Sequence, residues 1–475
     1  MVFLIIATAV TCFLFAARAW FATRDIYHPM VLFTPALLFL YVAQPALLMA
    51  SASNEAFFTQ QQLFEIQGMY LLGVIALAFG ASQNESSTIG PKHLPPNAFQ
   101  FDSRRLRKVG ITIGSIGLGI WFYTIISVGG FQAAFSQSYG GGWNDSGYIR
   151  DIALFLPFCA LLIMLYLCGL TSASFGNVLL AIIFGLPLLA QGLLGARRGP
   201  TFMLAAVCLC AYDLGRGRRP RLSKGLVGGA FVAALLILLY TNRGNIYIGS
   251  SQYIDTGKIS SFFDIGSGSE YVVGGANILH VWDTGRIAWG SNWLAEVVVR
   301  PIPHEMWPTK WTDWASWTGQ GVIGADFQTS SADTINWTPP SGSAAGIVGE
   351  TYQEWGWLYL PMLWGVGRFY AMAWARARSR RGNWPIYYAV FVAVSIYLIL
   401  QGPTDTIYRL VLIIGLLSIA LRYTKPVNHR WRRGHRTANW SAARVSEADI
   451  AYAVASAGVS GPRRMFTAHQ GNRNR

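Results

Sequence analysis

The sequence predicts an all-α polytopic membrane protein: about eleven transmembrane helices, N-terminus outside, C-terminus cytoplasmic, and one large outer loop. Three observations lead there. The 475 residues are 53% hydrophobic but only 12% charged, where soluble domains carry roughly 25% charged residues. The apolar residues fall in runs long enough to cross a hydrocarbon core. The net charge of +15 is spread unevenly along the chain.

Eight runs come first, near 2–17, 30–50, 63–83, 109–129, 152–170, 177–194, 200–214 and 225–241. The first has no basic segment ahead of it and reads as a retained helix rather than a signal peptide. The seventh is the shortest, and Pro200 stands where a first-turn proline is tolerated. Residues 242–345 form the outer loop. Three runs follow within 346–421, near 355–374, 384–401 and 406–421. The tail, 422–475, is basic, rich in Ala, Ser and Gly, and without apolar period, so it reads as disordered.

The charge distribution orients these spans. With the tail inside, the segments 18–29, 84–108, 215–224, 375–383 and 422–475 are cytoplasmic. They hold 27 of the 37 basic residues and 6 of the 22 acidic ones, so the two sides carry +21 and −6. Clusters such as Arg104 to Lys108 and Arg216 to Arg221 are most simply topology determinants at an anionic leaflet. A basic tail with sparse aromatics gives little reason to expect nucleic acid as a partner.

Several chemistries find no support. The five cysteines all lie in predicted spans, so no disulfide framework is expected. No metal-ligand spacing and no phosphate-cradling glycine loop occurs, so neither metal nor cofactor is expected. No internal repeat is evident, which counts against many transporter folds.

The outer face is the informative one. The 242–345 loop contains eight of the eighteen tryptophans. Half-embedded interfacial helices would explain them, and so would sugars stacking on rigid aromatic rings. Arg197, Arg198, Arg243 and Arg300 stand at outer ends of spans against the charge bias. Charges near a bilayer are costly and tend to mark a site or a pair, and the guanidinium fork suits phosphate. Snorkelling to ordinary lipid phosphates is the plainer explanation of any one of them. Glu350 stands at the mouth of the ninth span. Asp405 and Arg409 are four apart, which a helical ion pair explains as well as a site does.

At these residues the chain resembles the Wzy-type oligosaccharide repeat-unit polymerases, the O-antigen polymerase class. The patches are Arg198-Gly199, the Arg-Pro-x-Pro…Trp-Pro-x-Lys stretch from Arg300 to Lys310, and Gly-Glu-x-Tyr…Gly from Gly349 to Gly356. The paired Arg-x10-Gly loop motif of some members is lacking. The resemblance implies a GT-C-like architecture in a bacterial cytoplasmic membrane. It implies transfer of a growing glycan from polyprenyl diphosphate to a new lipid-linked repeat unit, without metal or nucleotide. Its partners would be the polyprenyl-diphosphate-linked oligosaccharide, membrane lipids and a chain-length regulator protein. Arg197, Arg198, Arg243, Arg300, Arg409 and Lys310 would then hold the diphosphate. Glu350, followed by His304 and Glu305, would supply the general base. Trp307, Trp311 and Tyr352 would face the glycan. An O-antigen ligase, with the same donor but a lipid A core acceptor, is the nearest alternative; a lipid-linked sugar transporter is another.

Overall fold

The structure is a computed structural model. It describes residues 1–424 apart from 51–56, 84–100, 138–146, 172, 196, 243, 251–253, 256, 258–268, 303, 305, 319–333, 338–342 and 381. The tail expected to be disordered lies outside the described residues. Among those described the chain is all-helical. We label α1 (Val2–Thr23), α2 (Pro29–Ala50), α3 (Gln60–Ser82), α4 (Ser103–Ser127), α5 (Gly147–Leu170), α6 (Phe175–Leu193), α7 (Arg198–Arg216) and α8 (Leu222–Asn242). There follow α9 (Glu270–Thr284), α10 (Ser291–Val298), α11 (Lys310–Thr318), α12 (Gly346–Trp355), α13 (Tyr359–Arg378), α14 (Trp384–Leu400) and α15 (Pro403–Arg422).

Seven of these helices, α1 to α6 and α8, are long and apolar enough to cross a membrane, which makes the chain a multi-pass membrane protein. The other four expected runs coincide with α7, α13, α14 and α15, which are shorter or more polar.

Helix ends follow local chemistry. Thr59 and Gln62 form a reciprocal capping box that starts α3. The Asp102 carboxylate accepts from the Arg104 and Arg105 amides at the start of α4. Between Pro29 and Ala50, α2 is irregular: it contains Pro35 and a π-turn at Phe39–Ala43. The ninth run is broken at Gly356, whose φ is +52°, so α12 ends before the long α13 begins.

Helices cross where glycine lets backbones touch, as membrane interiors favour. A Cβ on Gly80 would sit 2.0 Å from the Trp364 carbonyl oxygen, and one on Gly367 would sit 2.1 Å from that of Leu77, locking α3 to α13. A Cβ on Gly349 would lie 2.4 Å from the Gly274 Cα, which joins α12 to α9.

Through that last contact part of the 242–345 segment packs against the later helices. Helix α9 is buried almost end to end. The Tyr70 ring packs between those of Tyr41 and Tyr271, and the Tyr70 hydroxyl donates to the Tyr271 carbonyl. The Gln44 amide donates to Glu270 at 2.7 Å, and its oxygen accepts from Ser269 and the Tyr271 amide. Part of the loop is therefore an inserted helix in the bundle interior.

All five segments expected on the cytoplasmic side contribute to one end of the bundle. The buried Asp25 takes both ends of the Arg378 guanidinium fork, the Trp374 indole N–H and the Tyr27 amide. The Tyr27 hydroxyl reaches Asp213, which pairs with Lys224 at 3.0 Å. Arg378 and Arg380 donate to the carbonyls of Arg218 and Gly215. The Asp102 amide donates to the Thr424 carbonyl.

Candidate functional site

At the opposite end, three helix ends meet around Tyr397. Its hydroxyl lies against the first turn of α7, so close that a Cβ on Gly199 would be 1.1 Å from the oxygen. Its ring carries the Arg409 guanidinium, 4.1 Å from the centroid. Its carbonyl accepts from the Gln401 and Gly402 amides as the chain turns into α15. Arg197 immediately precedes α7 and is half-buried. The first turn of α7 leaves unpaired amides that favour negative charge.

Glu350 occupies the next position. It is 2% exposed, and its Oε1 accepts from the Thr404 amide at 2.6 Å, the Thr404 hydroxyl, and Trp293 Nε1 at 3.3 Å. The carboxylate thus caps the N-terminus of α15 from another helix, with the helix dipole favouring its negative charge. Gly402, at φ +105°, makes room: a Cβ there would lie 1.9 Å from Glu350 Oε2.

Arg300 ends this face. Its guanidinium pairs with Glu296 and with Asp151 at 3.8 Å, and lies 4.2 Å from the Tyr408 ring centroid. The Tyr408 hydroxyl in turn donates to Asp151 at 3.0 Å. Two carboxylates around one guanidinium leave no positive excess there, so Arg300 ties α10 to α15 rather than presenting a bare cation.

Two of the expected site residues lie in the interior. Lys310 is buried, and its ammonium donates to the carbonyls of Ile302 and Arg300, pinning the Arg300–Lys310 segment. Tyr352 is 1% exposed, accepts from Trp282 Nε1 at 2.7 Å, and packs edge-on against Tyr359 and Trp357. A tyrosine one turn from a helix end reads alike in sequence whether it faces out or in.

Trp307 and Trp311 lie on the turn before α11 and on α11 itself. Trp307 is half-buried and stacks on the exposed Trp317 with centroids 5.3 Å apart. Its indole N–H donates to Asp313, and with the Thr309 hydroxyl it holds that carboxyl below the usual carboxylate range. Trp311 lies over the Lys310 ammonium. His304 is exposed on the turn between α10 and α11. Arg243 and Glu305 lie outside the described residues, as do the side chains of Arg198 and Asp405. Among the described residues no group of three or more His, Cys, Asp or Glu is placed to hold a metal.

Sequence reasoning missed Tyr397, Gly402, Trp293 and Glu354. The first three are placed by tertiary packing. Glu354 was legible as the residue one helical turn after Glu350. It is fully buried, accepts from Asn292 Nδ2, and its Oε2 has no partner among the described residues. Burial pushes its carboxyl up to about 7. Unfolded, such a group titrates near ~4.3. Its folded value is raised, so stability falls as pH climbs from about 4 to 7 and levels off beyond. Glu354→Gln is expected to flatten that slope and to raise stability at pH 8 by about 3 kcal/mol. Thermal melts of detergent-solubilised protein between pH 4.5 and 8 check this; parallel wild-type and variant curves would contradict it.

Comparison with models of known families, with curated proteins and with solved structures returned no match.

Proposed function

We propose that the chain is a polysaccharide polymerase of the outer face of a bacterial cytoplasmic membrane, with eleven spans in a GT-C-like arrangement and its C-terminus inside. The reading rests on one observation. The α7 N-terminus with Arg197 and Gly199, the Tyr397–Arg409 pair and the Glu350-capped start of α15 converge at the end opposite the basic segments. A buried carboxylate beside a cationic, helix-terminal pocket suits transfer from a lipid diphosphate.

In that reaction the acceptor hydroxyl oxygen attacks the anomeric carbon of the growing glycan. The bond from that carbon to the diphosphate oxygen breaks, and polyprenyl diphosphate leaves with the bonding electrons. The hydroxyl proton passes to a carboxylate, for which Glu350 is the nearest group. Arg197, Arg198 and Arg409 stabilise the departing diphosphate, an electrostatic contribution realised as charge develops. Arg300 positions α10 against α15, and the Trp307–Trp317 pair offers a stacking shelf for sugar. The bond energy resides in the donor, so no nucleotide is required. An exposed His304 beside this face keeps a ligase, which would transfer the glycan to a lipid acceptor, as the second reading.

The test is a glycan gel from a null strain complemented with Arg197→Ala, Arg198→Ala or Arg409→Ala. Loss of the long-chain ladder at normal membrane level is expected. An intact ladder in all three overturns the diphosphate role. A ladder that forms but no longer attaches to core lipid favours the ligase. Purified protein that elongates lipid-diphosphate oligosaccharide without added metal or nucleotide would exclude the transporter.

A further inference from the structure

Glu350 is covered. It is 2% exposed, whereas a base must come within hydrogen-bond reach of the proton it removes. Its Oε1 accepts from two elements. Thr404 offers its amide at 2.6 Å and its hydroxyl from the first turn of α15. Trp293 offers its indole N–H from α10 at 3.3 Å, longer than the usual ~2.9–3.0 Å. For a substrate hydroxyl to reach this oxygen, one of these donors has to give way.

The donors are not equally fixed. Thr404 cannot withdraw without unwinding the start of α15, where Gly402 is packed against the Glu350 carboxylate. Trp293 stands on a helix of eight residues. That helix is entered through two left-handed residues, Trp289 at φ +53° and Gly290 at φ +75°. Its outward face is bare, with Leu294 and Val298 52% and 49% exposed. Its inner attachments at this end are few. Asn292 Nδ2 donates to the Glu354 carboxylate, the Gly290 amide donates to the Glu354 carbonyl at 3.2 Å, and the Trp293 ring packs edge-on against Trp355 with centroids 5.7 Å apart. Trp355 adds a second sign of a missing ligand: its Nε1 is buried and has no hydrogen-bond partner among the described residues. Buried donors of that kind are rarely left unused.

We infer that Trp293 is the gate of the acceptor subsite: its indole N–H holds the place on Glu350 that a sugar hydroxyl of the acceptor takes, and the ring turns away as that hydroxyl arrives. The inference rests on the reading of Glu350 as the base. One donor replaces another at the same oxygen, so the carboxylate is not left unpaired during the exchange. The hydroxyl then passes its proton to Glu350 as its oxygen bonds to the anomeric carbon and the bond from that carbon to the diphosphate breaks. The turned ring also uncovers Trp355, whose N–H gains a sugar oxygen as acceptor. Closed, the ring keeps water from Glu350. A water admitted there would attack the anomeric carbon, give its proton to Glu350, and release free glycan and polyprenyl diphosphate. Excluding that side reaction is a recognised use of a closing group.

The experiment uses the full chain in nanodiscs, with Trp293→Phe, Trp293→Leu and Trp293→Ala. Phenylalanine keeps a ring and loses the donor; leucine and alanine remove the cover as well. The first readout needs no substrate. A water-soluble carbodiimide with glycine ethyl ester tags reachable carboxylates, and the tag on Glu350 is followed by mass spectrometry, with Glu270 as the buried control. Losing a hydrogen bond to a charged group enlarges the open population, so leucine and alanine should speed tagging of Glu350 about tenfold and leave Glu270 unchanged. Leucine fills part of the space and holds the test open if the alanine variant fails to fold. Tagging of Glu350 at the wild-type rate in the leucine variant overturns the gate. The second readout uses lipid-diphosphate oligosaccharide. Trp293→Phe should lower KM for the acceptor about tenfold with kcat nearly constant, because the competing donor is gone. The leucine and alanine variants should release free glycan by hydrolysis about tenfold faster than wild type. Wild-type KM and wild-type hydrolysis throughout overturn the gate. If wild-type protein transfers no glycan while the variants still speed tagging, the polymerase reading falls and Trp293 stands as the cover of Glu350. If wild-type protein transfers glycan and tagging never changes, the gate alone falls.

Discussion

Glu350→Ala should unfold or cripple the protein, whereas Glu350→Gln should leave it folded and inactive. The alanine variant removes the acceptor for the Thr404 amide, the Thr404 hydroxyl and the Trp293 indole, all at a buried position. Each orphaned donor costs about 1–3 kcal/mol, and a cavity adds to it, so a loss of roughly 4 kcal/mol or more is expected. Glutamine keeps an oxygen for the same donors and removes only the charge. A general base contributes about 10²–10⁴-fold, so glycan synthesis by the glutamine variant should fall by that range while its thermal stability drops far less than that of the alanine variant. Melting of the purified variants and the glycan ladder measure the two effects separately. Full activity in Glu350→Gln would leave Glu350 as a cap for α15 and no more.

The second large effect is expected at the other end. Asp25→Asn leaves the partly buried Arg378 guanidinium beside a neutral amide, with two donors facing an NH₂ group. Breaking a buried ion pair from one side costs about 3–5 kcal/mol, most of it the uncompensated charge. The double variant Asp25→Asn/Arg378→Gln removes the charge and should regain a substantial part of the loss, a coupling that a double-mutant cycle reads directly. A wild-type melting temperature for Asp25→Asn alone would show that the pair is not the latch joining α13 to the α1–α2 turn. Neither variant touches the candidate site, so surviving molecules should retain activity.

Much of the scaffold was legible because it depends on local chemistry. All eleven apolar runs coincide with helices, since a run of that composition has one way to satisfy its backbone in hydrocarbon. The basic segments grouped at one end because charge bias and chain direction alternate together. Glu350 stood out as a carboxylate at a span end. What was not legible depends on partners distant in the chain. Lys310 and Arg300 look alike as exposed cations until Ile302, Glu296 and Asp151 are seen around them. Tyr352 and Tyr397 are two tyrosines near helix ends; only packing makes one a core residue and the other the hub of the site. Helix α9 did leave a signal. An apolar stretch of 10–14 residues is too short to span and reads as a buried or re-entrant segment, which fits Tyr271 to Trp282.

The contact of Gly274 with Gly349 bears on the order in which the protein is made. Helix α9 leaves the ribosome well before α12, α14 and α15, yet its buried face needs α12 to close over it. A nascent chain ending before Gly346 can pack α9 on α3 through Tyr70 and Tyr271 but lacks Gly349, whose backbone closes against Gly274. Since chains begin to organise from the N-terminus during synthesis, this part of the bundle interior stays incomplete until the helices from α12 onward arrive. A truncation ending before α12 would therefore leave the α9 face at Gly274 without the backbone that packs against it, so the C-terminal helices complete the burial of a segment made before them.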